Sequence, residues 1–244
     1  LGGGVEILVN DANAASLRLL NTIPETRVFT IRASGFFGLA MDSLRFLAWA
    51  RRCKIDTVID LELFSRYSAL LTGLSGAANR IGFHPFHNEG LYRGNMLTRR
   101  VAYNPHQHIA KNFVALVNAT LADQEEHPFS KTLVEDSEIR LARAEISEHS
   151  IMAMRDRIRA EHPSYDPAHH RIALINPNAS DLLPQRRWMP DHFAAVIRGL
   201  LGSVDDLLVL ITGAPAERGE AETLKQLVGH GCCVNFAGRQ SLEE

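Results

Sequence analysis

Three cysteines in 244 residues, Cys53, Cys232 and Cys233, lack the spacing of a metal site. Their number is odd, and sequence neighbours such as Cys232 and Cys233 rarely bridge each other. They read as small buried apolar side chains in a reducing cytoplasm. Charge of one sign is also missing. Lys and Arg number 26 against 28 Asp and Glu, a formal net charge of −2. General attraction to nucleic acid or anionic lipid is therefore weak, and any bound anion needs a local cluster of donors. No apolar run approaches the roughly 20 residues of a membrane span, and no signal-peptide pattern is present. No strand-to-helix turn carries G-x-G-x-x-G with an acidic residue at the right distance beyond it, which argues against a nicotinamide-dependent dehydrogenase. Short-period repeats and low-complexity tracts are absent too. The chain opens at Leu1 instead of a methionine, and the expectation is that further sequence precedes it.

What is present is a soluble-protein composition, 45% hydrophobic and 22% charged, enough to build a sizeable core. Short β-rich runs alternate with helical patterns. Strands are expected at Val5 to Val9, Arg27 to Ile31, Thr57 to Leu61, Arg80 to Phe83 and Arg99 to Tyr103. Helices are expected at Ala12 to Leu20, Leu39 to Cys53, Ser65 to Leu74 and His108 to Leu121. In the last of these, Ile109, Phe113, Leu116 and Val117 share one face. This order predicts an α/β fold with a parallel sheet covered by helices on both sides.

From 126 to 167 the pattern changes to a linker with a charged helix around Ser137 to His162, closed by Pro163 and Pro167. The strand–helix order resumes with a strand at Arg171 to Ile175 and a helix at Asp191 to Leu201. Phe193, Val196, Ile197, Leu200 and Leu201 form that helix's apolar stripe. Leu207 to Ile211, five apolar residues in a row, predicts a central strand buried on both faces. A helix at Pro215 to Val228 and a short strand at Cys233 to Asn235 follow, and Ser241 reads as the cap of another helix. The expected organisation is a Rossmann-like domain over 1–125, the linker, and the start of a second such domain over 168–244, with its sheet incomplete.

In open parallel sheets, ligands sit outside the carboxyl ends of the strands. The richest loop there runs from Asn176 to Asp191. Asn178, Ser180 and nearby amides can donate to phosphate oxygens. Arg186 or Arg187 can offer a planar fork of N–H donors, and the helix beginning near Pro190 adds a partial positive charge. Together these would form a diphosphate site without a metal. The same residues also suit local structure, with Asn178 and Ser180 capping turns, Arg187 solvated and Trp188 packing, and composition supports both readings. The next loop offers Gly213 for close backbone approach and Glu217 as an acceptor for ribose hydroxyls or as a plain helix-start carboxylate. A third loop, Phe236 to Ser241, holds Gly238 in a turn.

In the first half, Glu62 and Arg66 follow a strand. His84, His87, Asn88 and Arg93 lie in a long loop with aromatics, a composition that suits a polyhydroxylated sugar. His84, His87 and Glu89 could suggest a metal, but Pro85 and Gly90 argue against the helix that would align them, so no metal site is expected. His106 and His108 read as residues of a helix cap or groove, and His169 and His170 as exposed.

These segments resemble glycosyltransferase family 9, the bacterial heptosyltransferases. The likeness rests on Ile55 to Leu61, Ser68 to Leu71, Leu74 to Ala77 and Arg80 to Phe83, then Asn176-Pro177 with Ser180, Arg187-Trp188 with Pro190 and Phe193, Thr212 to Pro215 with Glu217, and Asn235 to Arg239. It spans nearly the whole chain, in the family's order. The resemblance implies a GT-B fold of two Rossmann-like domains. It implies inverting transfer, without metal or other cofactor, of heptose or a similar sugar from a nucleotide-diphosphate donor, ADP-heptose being one candidate. The acceptor would be lipopolysaccharide core or another glycan, free or lipid-linked. The site would be cytoplasmic, at the inner face of the membrane where the acceptor is lipid-linked.

By position, Ser180 would contact phosphate, Glu217 the ribose, and Arg186 would replace a basic phosphate ligand that is often lysine. The run Asp181 to Gln185 is longer than in many relatives, which leaves Arg186 and Arg187 both open. The family's aspartate base would precede Leu1 and its later donor loop would follow Glu244. No catalytic base is therefore assigned, and this segment by itself is expected to be inactive. Two rival readings are another GT-B enzyme, such as a nucleotide-sugar epimerase, and a non-catalytic module that binds sugar nucleotides or glycans.

Overall fold

Strands and helices alternate along the chain as the apolar runs require. The structure, a computed structural model, describes residues 4–32, 35–85, 92–122, 133–179 and 184–240. Two units divide the chain, Leu1–Arg143 and Ala144–Glu244. Every described strand pair is parallel. Among the described residues no helix is long and apolar enough to cross a membrane.

In the first unit, β1 (Ile7–Asn10) pairs with β2 (Val28–Ile31), and β3 (Thr57–Asp60), β4 (Asn79–Phe83) and β5 (Arg99–Val101) form a second ladder in the order β3-β4-β5. The described residues thus give two ladders where one sheet was expected. Helix α1 (Ala14–Leu20) follows β1, and α2 (Phe36–Arg52), α3 (Arg66–Leu74) and α4 (Ile109–Leu121) pack against the strands. Helix α2 buries Asp42, Phe46 and Ala50 at i, i+4 and i+8, and its last turn carries Arg51 and Arg52, which complement the helix dipole. Phe46 and Ala50 meet Ile31 and Leu71 in one core. Ile81, Phe83 and Val101 meet Leu116 and Ala119 of α4 in another.

The buried face of α4 is Asn112, Leu116 and Ala119, while Ile109 and Val117 are exposed. The expected stripe was off by part of a turn, because Asn112 is buried to hold both the N–H and the C=O of Asn104. His108 caps this helix, its Nδ1 accepting from the Ala110 amide.

The second unit is ordered β6-β7-β8, with β6 at Arg171–Ile175, β7 at Leu207–Ile211 and β8 at Cys233–Asn235. All five residues of β7 are buried. Leu207, Val209 and Ile211 face Ala194 and Ile197 of α6 (Pro190–Ser203) and Ala221, Leu224 and Val228 of α7 (Arg218–Val228). Leu208 and Leu210 face the other way, toward Ile158 of α5 (Glu148–Glu161) and Tyr165. Each such side chain contributes about 1.5–3 kcal/mol by leaving water.

Helix α5 starts only at Glu148, where Ser147 caps it by accepting from the Ser150 amide. Asp136–Glu138 form only a single 3-10 turn and residues 139–147 are not helical, so the charged helix is shorter than its composition suggested. Within the α6 stripe, Val196 is the exposed exception. The cysteines differ from one another. Cys233 is buried and its thiol is pushed up to about 11 by loss of hydration, Cys232 is half-buried, and Cys53 is exposed at the end of α2, against the expectation of burial.

Two ion pairs tie helices to strand ends in the first unit. Asp60, last in β3, is buried beside Arg93, whose guanidinium also donates to Ser68 Oγ and to the carbonyls of Ser65 and Glu62. Arg93→Ala would strand a buried carboxylate, and urea unfolding is expected to show a loss of about 3–5 kcal/mol. Arg32, just after β2, grips Asp42 through Nε at 2.8 Å and Nη2 at 2.9 Å. That bidentate hydrogen bond, with the Arg32 amide and charge, lowers the Asp42 carboxyl to about 2. A carboxyl depressed on folding stabilises the protein above its unfolded value and ceases to as pH falls through the folded value. In urea unfolding followed by circular dichroism at a series of pH values, Arg32→Ala should therefore be less stable by a constant amount above about pH 4, and the difference should shrink and vanish as pH falls toward about 2.

Candidate functional site

Parallel register brings the carboxyl ends of β6 and β7 level, with Ile175 opposite Ile211. The loops leaving these strands then hold each other. The Thr212 amide donates to the Ile175 carbonyl at 2.8 Å, and the Gly238 amide after β8 donates to the Gly213 carbonyl at 2.9 Å. Asn176 Oδ1 accepts from the Asn178 amide at 3.0 Å, a turn made by the side chain, and Asn178 reaches across toward the Thr212 carbonyl.

At Gly213 the ends of two neighbouring side chains fill the space that a side chain of its own would take. A Cβ would lie 2.6 Å from Asn178 Nδ2 and 2.8 Å from Glu217 Oε2. Its missing side chain admits protein groups instead of a ligand, and it is not among the residues lining the cavity described next. Gly238, at φ +68°, has Pro215 Cα where a Cβ would need to be, only 2.7 Å away, so it locks the third loop onto the second.

An open cavity of about 470 Å³ lies at this edge, lined by Asn176, Asn178, Ala179, Arg187, Ala214, Ala216, Glu217 and Glu220. That volume suits a small-molecule ligand. Among the described residues of the lining, Arg187 is the one basic residue. Its Nε and Nη2 donate to the Ala179 carbonyl at 3.3 and 3.2 Å, and its Nη1 lies 3.4 and 3.3 Å from the two oxygens of Glu220. Glu217 closes the 3-10 turn before α7, accepting from the Ala214 amide at 2.6 Å. Arg186 ends the turn Pro184–Arg186, is exposed and does not line the cavity. Ser180 lies outside the described residues. The start of α6 contributes no lining residue; the helix start at the cavity is that of α7, and it carries Glu217 and Glu220. Glu220 was not anticipated, although it follows Glu217 by three residues and so falls on the same helical face.

In the first unit Glu62 and Arg66 are exposed beyond the end of β3, Arg66 donating to the Tyr92 carbonyl at 3.2 Å. His84 is half-buried and Arg93 buried. Both border a void of about 10 Å³, room for one water and far too small for a sugar ring. Arg93 is thus a clamp on Asp60 and the start of α3, not a group displayed to an acceptor. His87 and Asn88 lie outside the described residues. Among the described residues no three His, Cys, Asp or Glu side chains cluster as metal ligands would.

The profile of glycosyltransferase family 9 (heptosyltransferase) matches residues 44–244. No curated protein matches the sequence. Two solved structures share its fold, the GT-B arrangement. The E. coli ADP-heptose LPS heptosyltransferase II superposes with a TM-score of 0.53 at 15% identity, over 98% of this chain and 74% of its own. The glycosyl transferase family 9 protein from Veillonella parvula DSM 2008 gives 0.57 at 14% identity, over 99% of this chain and 71% of its own. With the family's profile covering most of its length, this chain belongs to glycosyltransferase family 9 and is a glycosyltransferase.

Proposed function

We propose that the protein transfers a heptose or a similar sugar from a nucleotide-diphosphate donor to lipopolysaccharide core or another glycan, with inversion at the anomeric carbon. The observation that carries the reading is Arg187. Its guanidinium lines a cavity at the carboxyl edge of a buried parallel sheet, where open α/β sheets take their ligands. The E. coli relative is named for ADP-heptose, and we extend that donor to this chain. A lipid-linked acceptor would bring the enzyme to the inner face of the membrane.

In an inverting transfer the acceptor oxygen attacks the anomeric carbon as its bond to the diphosphate oxygen breaks. The acceptor hydroxyl gives its proton to a carboxylate base. Negative charge grows on the departing diphosphate and must be met by donors already in place. Arg187 supplies a permanent positive charge and planar N–H donors for that role. No cation is required in this reading. Asn178 offers a side-chain amide beside it. Glu217 accepts hydrogen bonds from ribose hydroxyls through the carboxylate capacity left beside its bond to Ala214. Ala214 and Ala216 give the apolar surface on which the nucleoside rests.

Arg187→Ala is expected to lower kcat about a hundredfold, the effect of removing one preorganised donor worth about 3 kcal/mol. Arg186→Ala is expected to leave turnover within about threefold, since that side chain faces solvent. Release of nucleoside diphosphate from ADP-heptose, with a lipopolysaccharide acceptor, measures both. Full activity in Arg187→Ala together with collapse in Arg186→Ala would move the phosphate contact to the neighbouring residue and overturn the assignment of Arg187.

A further inference from the structure

Among the described residues, the lining of the donor cavity sets Arg187 against Glu217 and Glu220, a poor balance for holding a diphosphate. Glu217 has a backbone partner and a ribose to bind. Glu220 has neither role; it pairs with Arg187, the group that the diphosphate would need. The contact is of a kind that exchanges easily. A single nitrogen, Nη1, is shared between both carboxylate oxygens at 3.3–3.4 Å, where a strong charge-assisted pair would be closer and two-pronged. Glu220 is 63% exposed and Arg187 31% exposed, so water can replace either partner at little cost.

We infer that Glu220 is a specificity and release residue: it competes with the donor's diphosphate for Arg187 and takes the arginine back when the nucleoside diphosphate leaves. This rests on the reading of the cavity as the diphosphate site. In the empty cavity the carboxylate holds the guanidinium in place. In the loaded cavity it is a second anion beside the diphosphate, and like charges repel. Both effects weaken nucleotide binding. A purely structural role, with Glu220 bracing α7 or fixing Arg187 in its binding pose, predicts the opposite, a loss of affinity when the charge is removed.

The test is a double-mutant cycle on the full chain by calorimetry, with ADP, GDP and UDP as probes and adenosine, guanosine and uridine as phosphate-free controls. Glu220→Gln keeps the shape and removes the charge. It is expected to tighten the best-binding nucleoside diphosphate about two- to fivefold, the range of an exposed ion pair, and to leave the nucleosides unchanged. In the Arg187→Ala background the same substitution should lose most of that gain. Glu220→Ala, checked by thermal melting for intact folding, should follow Glu220→Gln. In turnover assays KM for the donor should fall while kcat does not rise. If Arg187→Ala weakens diphosphate binding but Glu220→Gln leaves it unchanged or weakens it, the competitor role is wrong and the site stands. If Arg187→Ala leaves diphosphate binding intact, or none of the three diphosphates binds, the site reading itself fails and this inference falls with it.

Discussion

A strand with no polar side chain has to be covered on both faces, and β7 is such a strand. Its alternate residues point into two separate cores, one closed by α6 and α7 and the other by α5 and Tyr165. The buried backbone of β7 needs partners on both sides, which β6 and β8 supply, and their parallel register brings the carboxyl ends out level. The loops from those ends have nowhere to go except against one another. The bonds from Thr212 to Ile175 and from Gly238 to Gly213, with Gly238 pressed against the Pro215 backbone, are the result. The cavity that holds Arg187, Asn178, Glu217 and Glu220 is the space those loops leave. Its position follows from hydrophobic burial, and its chemistry from a handful of residues that burial does not constrain.

That division explains which parts of the molecule could be read from its residues. Leu207–Ile211 and Cys233–Asn235 came out with the expected ends because each is a run of residues whose burial leaves no alternative. The charged segment before residue 162 was legible as helical but not in its extent, since charged residues are at ease in helix and in irregular chain alike. The decision fell to local chemistry, the Ser147 cap. In α4 the pattern of apolar residues misled, because the position that most needed burial was Asn112, which satisfies the backbone of Asn104 on both sides. A polar residue with a private partner is invisible to hydrophobic periodicity.

For the site, the loop was legible and the individual side chain was not. Two consecutive arginines carry the same charge and the same donors, and no composition separates Arg186 from Arg187. Separation comes from the turn Pro184–Arg186, which leaves Arg186 outward and sets Arg187 toward Ala179 and Glu220. The first unit shows the same limit in reverse. Arg93 sits in a loop whose His, Asn and aromatic content suits a sugar, yet a buried Asp60 claims its guanidinium. Composition marks a loop as able to bind; only the inventory of partners tells whether a given charge is available to a ligand.

Arg93 and Arg187 therefore make an instructive pair within one chain. Both face a carboxylate near the carboxyl edge of a parallel sheet. Arg93 has a side chain 5% exposed and four donor contacts, and breaking its pair would leave Asp60 without water or counter-charge. Such a pair has one stable arrangement, and it fixes structure. Arg187 meets Glu220 in the open, at distances where the pair is worth little, and each partner can be satisfied by solvent. An ion pair of that kind is weak enough to be exchanged, and in our proposal the partner exchanged for it is a diphosphate. The same two functional groups give a rivet in one place and an exchangeable contact in the other, and the difference lies wholly in how much water each can reach.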